Sequence, residues 1–353
     1  MTFQTNRRIR VLHALPRPDG TTQYVDHMIG GAPADVEIFT FSWRTALLGR
    51  YDVLHLHWPE HLVRSPRAIQ RLAKHGLAWL LLARLQLSRT PVVRTMHNLQ
   101  PHEATRPAER LLFVAIARRT AAWVRLNPVT PLADDARAVT IPHGHYRDVY
   151  RGVAPGVSQV PGRLLQFGQL RPYKGTERLL EAFRAWDEPA SLRIVGEPWG
   201  DDVVAAITAA SVEDPRVTSA LHRVSDERLA TEIREAELVA LPYRDVHNSG
   251  AALLALSLDR PVLLPRNPAT SALAEEVGQD WVYLFDGDLA VADLAKALTT
   301  ARQRPSGSRP NLTARDWSRV GERHAELYRS LAGANSRSRV RTARASARHD
   351  GEE

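Results

Sequence analysis

Short β-rich runs alternate with helix-patterned segments along almost the whole chain, and no other feature restricts the fold as strongly. The runs at 9–15, 36–41, 53–58, 92–97, 123–127 and 139–142 are rich in branched and aromatic residues, with helical periodicity between them. Strands separated in this way pair in parallel through helical crossovers, as βαβ units. At 151–162 the stretch RGVAPGVSQVPG breaks the alternation with glycine, proline and no period, which marks a linker. The alternation resumes at 164–167, 192–195, 217–221, 238–243, 261–265 and 281–285. At ~100 to 200 residues per domain, the 353 residues are read as two facing, doubly wound α/β domains with parallel sheets, 1–150 and 163–334. A last helical pattern with Trp317, Val320, Leu327 and Leu331 is assigned to the second domain, and the Arg- and Ser-rich tail 335–353 is expected to be disordered.

The chain has no cysteine, which excludes a disulfide framework, a thiolate metal site and a cysteine nucleophile. Its start, MTFQTNRRIRVLHAL, lacks the long apolar region and cleavage site of a signal peptide. The longest apolar stretch, 77–83, has seven residues, against the ~20 that a membrane helix needs. A cytoplasmic location is the expectation.

Net charge is +8, but residues 1–150 hold 20 Lys and Arg against 11 Asp and Glu, so the basic character belongs to the first half. Residues 64–125 hold twelve basic side chains against Glu103 and Glu109. Ser65 and Pro66 suit an N-cap and first turn, so a long helix is expected to begin there. On it Arg67, Arg71 and Lys74 share one face, with Ile69, Leu72, Trp79, Leu80 and Leu82 on a broad apolar face beside them. Three readings fit: a core-packing helix with a solvated basic side, contact with an anionic membrane surface, or nucleic-acid binding. No zinc-ligand set, helix-turn-helix or RNP-type motif supports the last, and no nucleic acid is expected.

In parallel sheets ligands bind outside the carboxyl ends of the strands. There the first half places PRPDGTTQY, HLHWPEH, TMHNLQPHE and IPHGHY. Asp19 and Gly20 turn the chain, and Thr21 or Thr22 begins a helix whose amides suit an anion or a sugar hydroxyl. Of fourteen histidines, seven lie in these segments, His55, His57, His61, His97, His102, His143 and His145, and His13 joins them at the end of the first strand. A metal site, a hydrolase and a sugar site compete for them. No HExxH helix or aspartate-rich loop supports a metal, and no GxSxG elbow supports a hydrolase. Histidine, carboxylate and Trp58 together offer a sugar donors, acceptors and a flat apolar face, with Glu60 or Glu103 as general base. His13 and His55 sit within apolar runs and also fit a purely structural role.

The second half offers FGQLRPYKG, a strand-to-helix turn that aims Arg171, Lys174 and the helix amides after Gly175 at one spot, as a diphosphate requires. Asn248, Ser249 and Gly250 open another helix in LPYRDVHNSGAALLALS. Neither is a Walker loop, and two surface turns remain the plain alternative.

These segments resemble the nucleotide-sugar glycosyltransferases of the GT-B fold, two facing Rossmann-like domains. FGQLRPYKGTERLLEAF is similar to their G-R-L-x-x-x-K-G segment, LRIVGEP to L-x-I-V-G-x-G, and 236–264 to the A-D-x-x-x-x-P…G-x-x-x-L-E-A-x-A-x-G-x-P-V-V region. The resemblance implies that Arg171 and Lys174 hold the donor diphosphate. It also implies that the loop with Glu197 and the turn at Val224 flank the base, and that Asn248 to Gly250 contact phosphate or sugar. TMHN resembles T-x-H-D, which places His97 near the reacting sugar. The chain departs from the pattern at Gln169, at Asn98, and at Val246 and Leu254, where the family keeps the two glutamates of E-x7-E. HWPE, HN-x-x-PHE and PHGHY are similar to segments of a bacterial subgroup, the GDP-mannose:glycolipid 4-β-mannosyltransferases.

The expected activity is metal-independent transfer of a hexose, in that subgroup mannose, from a GDP- or UDP-sugar to a lipid-linked or glycan acceptor in the interdomain cleft, as in polysaccharide biosynthesis. No cofactor beyond the nucleotide-sugar co-substrate is expected. Glu103, His97 and Glu60 are the catalytic candidates, and Asp19, Gly20, Thr21, His57, Trp58, His102, His143 and His145 the acceptor contacts. Peripheral attachment to the inner face of the membrane would accompany a lipid acceptor. The rivals are a non-catalytic sugar- or nucleotide-binding protein of the same fold and a nucleotide-sugar epimerase.

Overall fold

The computed structural model describes residues 7–15, 17, 23–97, 106–133 and 136–349, with side chains throughout except at 23, 25 and 334–349. The chain divides into two units, Met1–Gly144 with Ala314–Glu353, and His145–Thr313.

The first unit is built on β1 (Ile9–His13), β2 (Val36–Thr40), β3 (Val53–Leu56), β4 (Val92–Met96), β5 (Thr120–Arg125) and β6 (Ala138–Thr140). They pair in parallel in the order β2-β1-β3-β4-β5-β6. The crossovers are α1 (Gln23–Gly30), α2 (Trp43–Leu48), α3 (Ala68–Ser88) and α4 (Pro107–Arg119). Side chains alternate across a strand, so Leu12, Leu54 and Val92 pack with Leu81, Leu85 and Leu112 on one face. Val11, Val53 and Val93 line the other face, with Tyr24 and Met28 of α1.

The second unit repeats the plan with β7 (Arg163–Phe167), β8 (Ser191–Val195), β9 (Val217–Ala220), β10 (Leu238–Ala240), β11 (Val262–Pro265) and β12 (Val282–Phe285). Its sheet has the order β12-β11-β10-β7-β8-β9, again all parallel. It is covered by α5 (Thr176–Arg184), α6 (Asp201–Glu213), α7 (Asp226–Glu235), α8 (Gly250–Ser257), α9 (Pro268–Val277) and α10 (Val291–Arg302). Each of the twelve expected strands is present. The strand order reverses between β1 and β3 in one sheet and between β7 and β10 in the other. At such a switch point the flanking crossovers leave in opposite directions and open a crevice above the strand ends.

The domain bounds differ from expectation in three ways, the first being that residues 145–150, expected in the first domain, belong to the second unit. Residues 151–162 belong to the second unit, where Val160 N–H donates to Glu235 O at 2.8 Å and Gly162 N–H to the Glu237 carboxylate at 2.8 Å. The last helix, α11 (Trp317–His349), returns to the first unit. There Trp317, Val320, Leu327, Tyr328 and Leu331 bury its apolar stripe in the core. Arg329 donates to both oxygens of Asp35, at 2.8 and 2.9 Å. Close approach requires glycine on both sides: a Cβ on Gly144 would sit 2.3 Å from the Trp317 ring, and one on Gly321 1.8 Å from Gly31 O. The helical backbone continues through 335–349 of the expected tail.

α3 starts two residues later than Ser65 and Pro66 suggested, because Ser65 Oγ donates instead to the Gln70 side chain at 2.9 Å. Its apolar residues also divide differently. Ala78, Leu81 and Leu85 face the core, while Ile69, Leu72, Trp79, Leu80 and Leu87 are exposed, from 46% at Trp79 to 86% at Leu87. Arg71 and Lys74 donate to the carbonyls of Ser65 at 3.1 Å and Arg64 at 2.8 Å. Of the apolar face read from the sequence, Leu82 packs on the core and the other four residues form an exposed stripe, and two of its three basic neighbours are engaged by the preceding turn. Among the described residues, no helix is long and apolar enough to cross a membrane.

Candidate active site

Both switch points carry the polar clusters. In the first unit β1 ends in His13, β3 runs through His55 to His57, and β4 ends before His97, so parallel register brings the four imidazoles together. His13 Nδ1 lies 3.0 Å from His57 Nε2, and His57 Nδ1 lies 3.1 Å from His97 Nε2. Tyr328 of α11 places its hydroxyl 2.6 Å from His55 Nδ1 and 3.2 Å from His13 Nε2, and His55 Nε2 meets Thr95 Oγ1 at 2.7 Å. Trp58 stacks on His97 with centroids 4.2 Å apart, and Tyr24 stands edge-on to His97. His143 donates from Nδ1 to Gly144 O at 2.7 Å.

Burial governs the electrostatics. It pushes His13 and His97 down to about 3 and His143 and His324 to about 4. His55 and His57 are likewise held well below the usual imidazole range, with neighbouring histidines acting in the same direction. These rings are neutral at pH 7 and act as hydrogen-bonding groups. His13, His55 and His57 also place one nitrogen each within 4.8 Å of one another, a spacing that could hold a metal ion. That trio joins two strands, and no linear spacing advertises it.

The other candidates of this half fall in different places. Glu60, half-buried, lies in the short turn Pro59–Leu62, and its charge partly offsets the burial of Arg94. His145 belongs to the second unit, buried, with Nδ1 accepting the Arg147 N–H at 3.3 Å. Asp19, Gly20, Thr21, His102 and Glu103 lie outside the described residues.

In the second unit the turn after β7 faces the end of β10. Gly175 is left-handed at φ +67°, and a Cβ there would lie 2.0 Å from Pro242 O, so only glycine lets the two segments close up. Lys174 Nζ donates to Tyr243 Oη at 2.8 Å, and Ser249 Oγ donates to the same oxygen at 3.2 Å. Tyr243 thus joins the turn to the start of α8, where Ser249 also caps Ala252 N–H at 3.1 Å. Burial, then the Arg171 charge, pushes the Lys174 ammonium down to about 8. Arg171 lies over the exposed Trp199 ring at 4.5 Å, and its shielded Nε has no hydrogen-bond partner among the described residues. Glu197, Asn248 and Gly250 are exposed around this turn, whereas Val224 packs against the apolar core. Val246 is buried and Leu254 packs on the same core.

The structure therefore joins Arg171, Lys174, Gly175 and Ser249 into one cationic cradle. Sequence reasoning missed Tyr243 and Trp199, whose signal was an aromatic residue just beyond a strand end. It also missed Tyr328 and His324, one helical turn apart on α11.

No protein-family model matches the chain. It is 46% identical over 328 residues to a GDP-mannose:glycolipid 4-beta-D-mannosyltransferase of Xanthomonas campestris pv. campestris (strain ATCC 33913), covering 92% of this chain and 93% of the relative. A second protein of that name from the same pathovar is 45% identical over the same shares. Among solved structures, HepE from Anabaena in complex with UDP and glucose superposes with TM-score 0.54 at 14% identity, over 96% of this chain and 100% of that one. AviGT4, a glycosyltransferase involved in avilamycin A biosynthesis, gives 0.56 at 15% identity over 92% and 98%. These structures share the two-domain GT-B fold.

Proposed function

This chain belongs to the family of the GDP-mannose:glycolipid 4-beta-D-mannosyltransferases, and we propose that it transfers mannose from GDP-mannose to a hydroxyl of a lipid-linked glycan. The observation that carries this reading is identity of 46% sustained over 92% of the chain, joined to the cationic cradle at the second switch point. Arg171, Lys174 and the amides of α5 and α8 neutralise the diphosphate as it leaves. A carboxylate takes the proton of the acceptor hydroxyl, and we assign that role to Glu103 with Glu60 as the alternative. A single displacement fits the core positions of Val246 and Leu254, since no carboxylate stands there for a donor-sugar contact. His97, stacked on Trp58, and His143 offer the acceptor sugar an aromatic face and polar edges.

The acceptor also accounts for α3. Ile69, Leu72, Trp79, Leu80 and Leu87 of α3 are exposed, as are Leu111 and Val114 of α4, and so are Arg67 at the start of α3 and Arg110 and Arg118 of α4. An apolar face with a basic rim suits shallow insertion into an anionic bilayer, where a lipid-linked acceptor resides.

The test is incubation of the purified chain with GDP-mannose, UDP-glucose or a dTDP-sugar and bacterial lipid extract, read by mass spectrometry. One hexose added to a lipid from GDP-mannose alone is expected. Transfer from UDP-glucose but not from GDP-mannose, or donor turnover with no lipid product, would overturn the reading.

A further inference from the structure

The buried histidines form a continuous hydrogen-bonded chain that doubles back on one strand. It starts at Thr95 Oγ1 on β4, passes to His55 at 2.7 Å, to Tyr328 at 2.6 Å and to His13 at 3.2 Å. From there it reaches His57 at 3.0 Å and His97 at 3.1 Å, two residues beyond its origin. Thr95, His55, Tyr328, His13 and His57 are all at most 2% exposed, and no carboxylate hydrogen-bonds to any of them among the described residues.

A neutral imidazole has one N–H and one lone pair, and a hydroxyl between two rings donates to one and accepts from the other. Every N–H in such a chain must therefore point the same way. A reversal at one link would set two N–H groups, or two lone pairs, against each other. Thr95 fixes the direction. His55 is the one hydrogen-bond partner of its hydroxyl among the described residues, so an accepting Thr95 would bury its own proton unsatisfied. Thr95 then donates to His55 Nε2, His55 Nδ1–H to Tyr328, Tyr328 to His13 Nε2, His13 Nδ1–H to His57 Nε2, and His57 Nδ1–H to His97 Nε2.

We propose that Thr95, His55, Tyr328, His13 and His57 are positioning residues that hold His97 as its Nδ1–H tautomer. In the mannosyl-transfer reading, on which this step rests only for its effect on activity, His97 presents a donor to a sugar oxygen and leaves proton abstraction to a carboxylate. α11 takes part through Tyr328, which joins the two halves of the chain.

The tautomers are read directly by long-range ¹H–¹⁵N correlation of histidine-labelled full-length protein at neutral pH. His13, His55, His57 and His97 are expected as Nδ1–H. Thr95→Val removes the fixed end without changing shape, and His97 is expected to acquire Nε2–H character, with a loss in kcat and an unchanged KM for GDP-mannose. Thr95→Ser is expected to restore both. Tyr328→Phe cuts the chain at its middle and serves as a second variant if Thr95→Val does not fold; His97 is again expected to change. An Nε2–H His97 in the parent protein, or His97 signals indifferent to a folded variant, would overturn the proposal. So would stoichiometric uptake of added Zn²⁺ with loss of the His13, His55 and His57 signals, which would make the cluster a metal site. The tautomer readout stands whether or not the protein transfers mannose.

Discussion

The two units share one architecture and place their polar clusters at the same topological point, yet the clusters are chemically opposite. At β1 and β3 the first unit gathers neutral imidazoles in its interior, none with a hydrogen-bonded carboxylate among the described residues. At β7 and β10 the second holds Arg171 and Lys174 at the surface of a cradle with one buried tyrosine between lysine and serine. The first arrangement suits hydroxyl groups, which need direction rather than charge. The second suits a diphosphate, whose charge increases as the sugar departs. Fold alone does not decide which ligand a switch point takes; the side chains that close the crevice do.

If the division of labour is right, damage to one unit should leave the other's property intact, and the largest effect should come from the acceptor side. Glu103→Gln is expected to lower kcat by ~100- to 10,000-fold while GDP binding stays unchanged. Near-parental turnover in that variant, with collapse in Glu60→Gln, would move the base to the turn after β3.

Next in size is the donor cradle. Lys174→Ala and Arg171→Ala should each weaken GDP binding by about 10- to 150-fold, because each removes a charge-assisted contact. Calorimetry on both variants, with His57→Gln as the control from the other unit, checks this. Full affinity in the two cradle variants, or an equal loss in the histidine variant, would end the contrast.

The units should also answer pH from opposite sides. His13, His55, His57, His97, His143 and His324 are neutral in the fold but take up protons below about 6.5 when the chain unfolds. Their contribution to stability is complete above pH 6.5 and is lost as pH falls toward about 4 and 3, by about 1.4 kcal/mol per proton per pH unit. Melting temperature should fall steeply across that acid window. The cradle responds on the alkaline side: free Lys174 loses its charge as pH rises through about 8, so GDP affinity should decline there. Lys174→Arg should flatten that decline, and an unchanged slope would remove Lys174 from the phosphate site.

The smallest expected effect concerns α3. Sedimentation with anionic vesicles at low salt should be lost in Leu72→Asp with Trp79→Asp, and less so in Arg67→Glu, whose charge is worth ~1 kcal/mol near such a surface. Binding that ignores the apolar pair would leave this stripe without a bilayer role.

Much of this was legible in advance because β-rich runs and helical periods are local properties. All twelve strands and the cationic turn at FGQLRPYKG could be read from them, since a strand end followed by a helix start fixes where Arg171 and Lys174 stand. Which face of α3 is buried stayed open in the sequence for the complementary reason. A helix with apolar residues on more than one face does not say which face meets the sheet, and Ala78, Leu81 and Leu85 took that place.

The linear order of residues by itself determined the α/β class, the parallel sheets, the basic first half and the placing of histidines at strand ends. Tertiary structure alone decided that His13, His55, His57 and His97 form a single hydrogen-bonded chain, because parallel register sets residues some 40 positions apart side by side. It alone sent α11 back to the first unit, 273 residues from His55, where Tyr328 completes that chain. An amphipathic stripe records that a helix must be buried, and only the shape of the available surface, here the glycines at 31, 144 and 321, selects where.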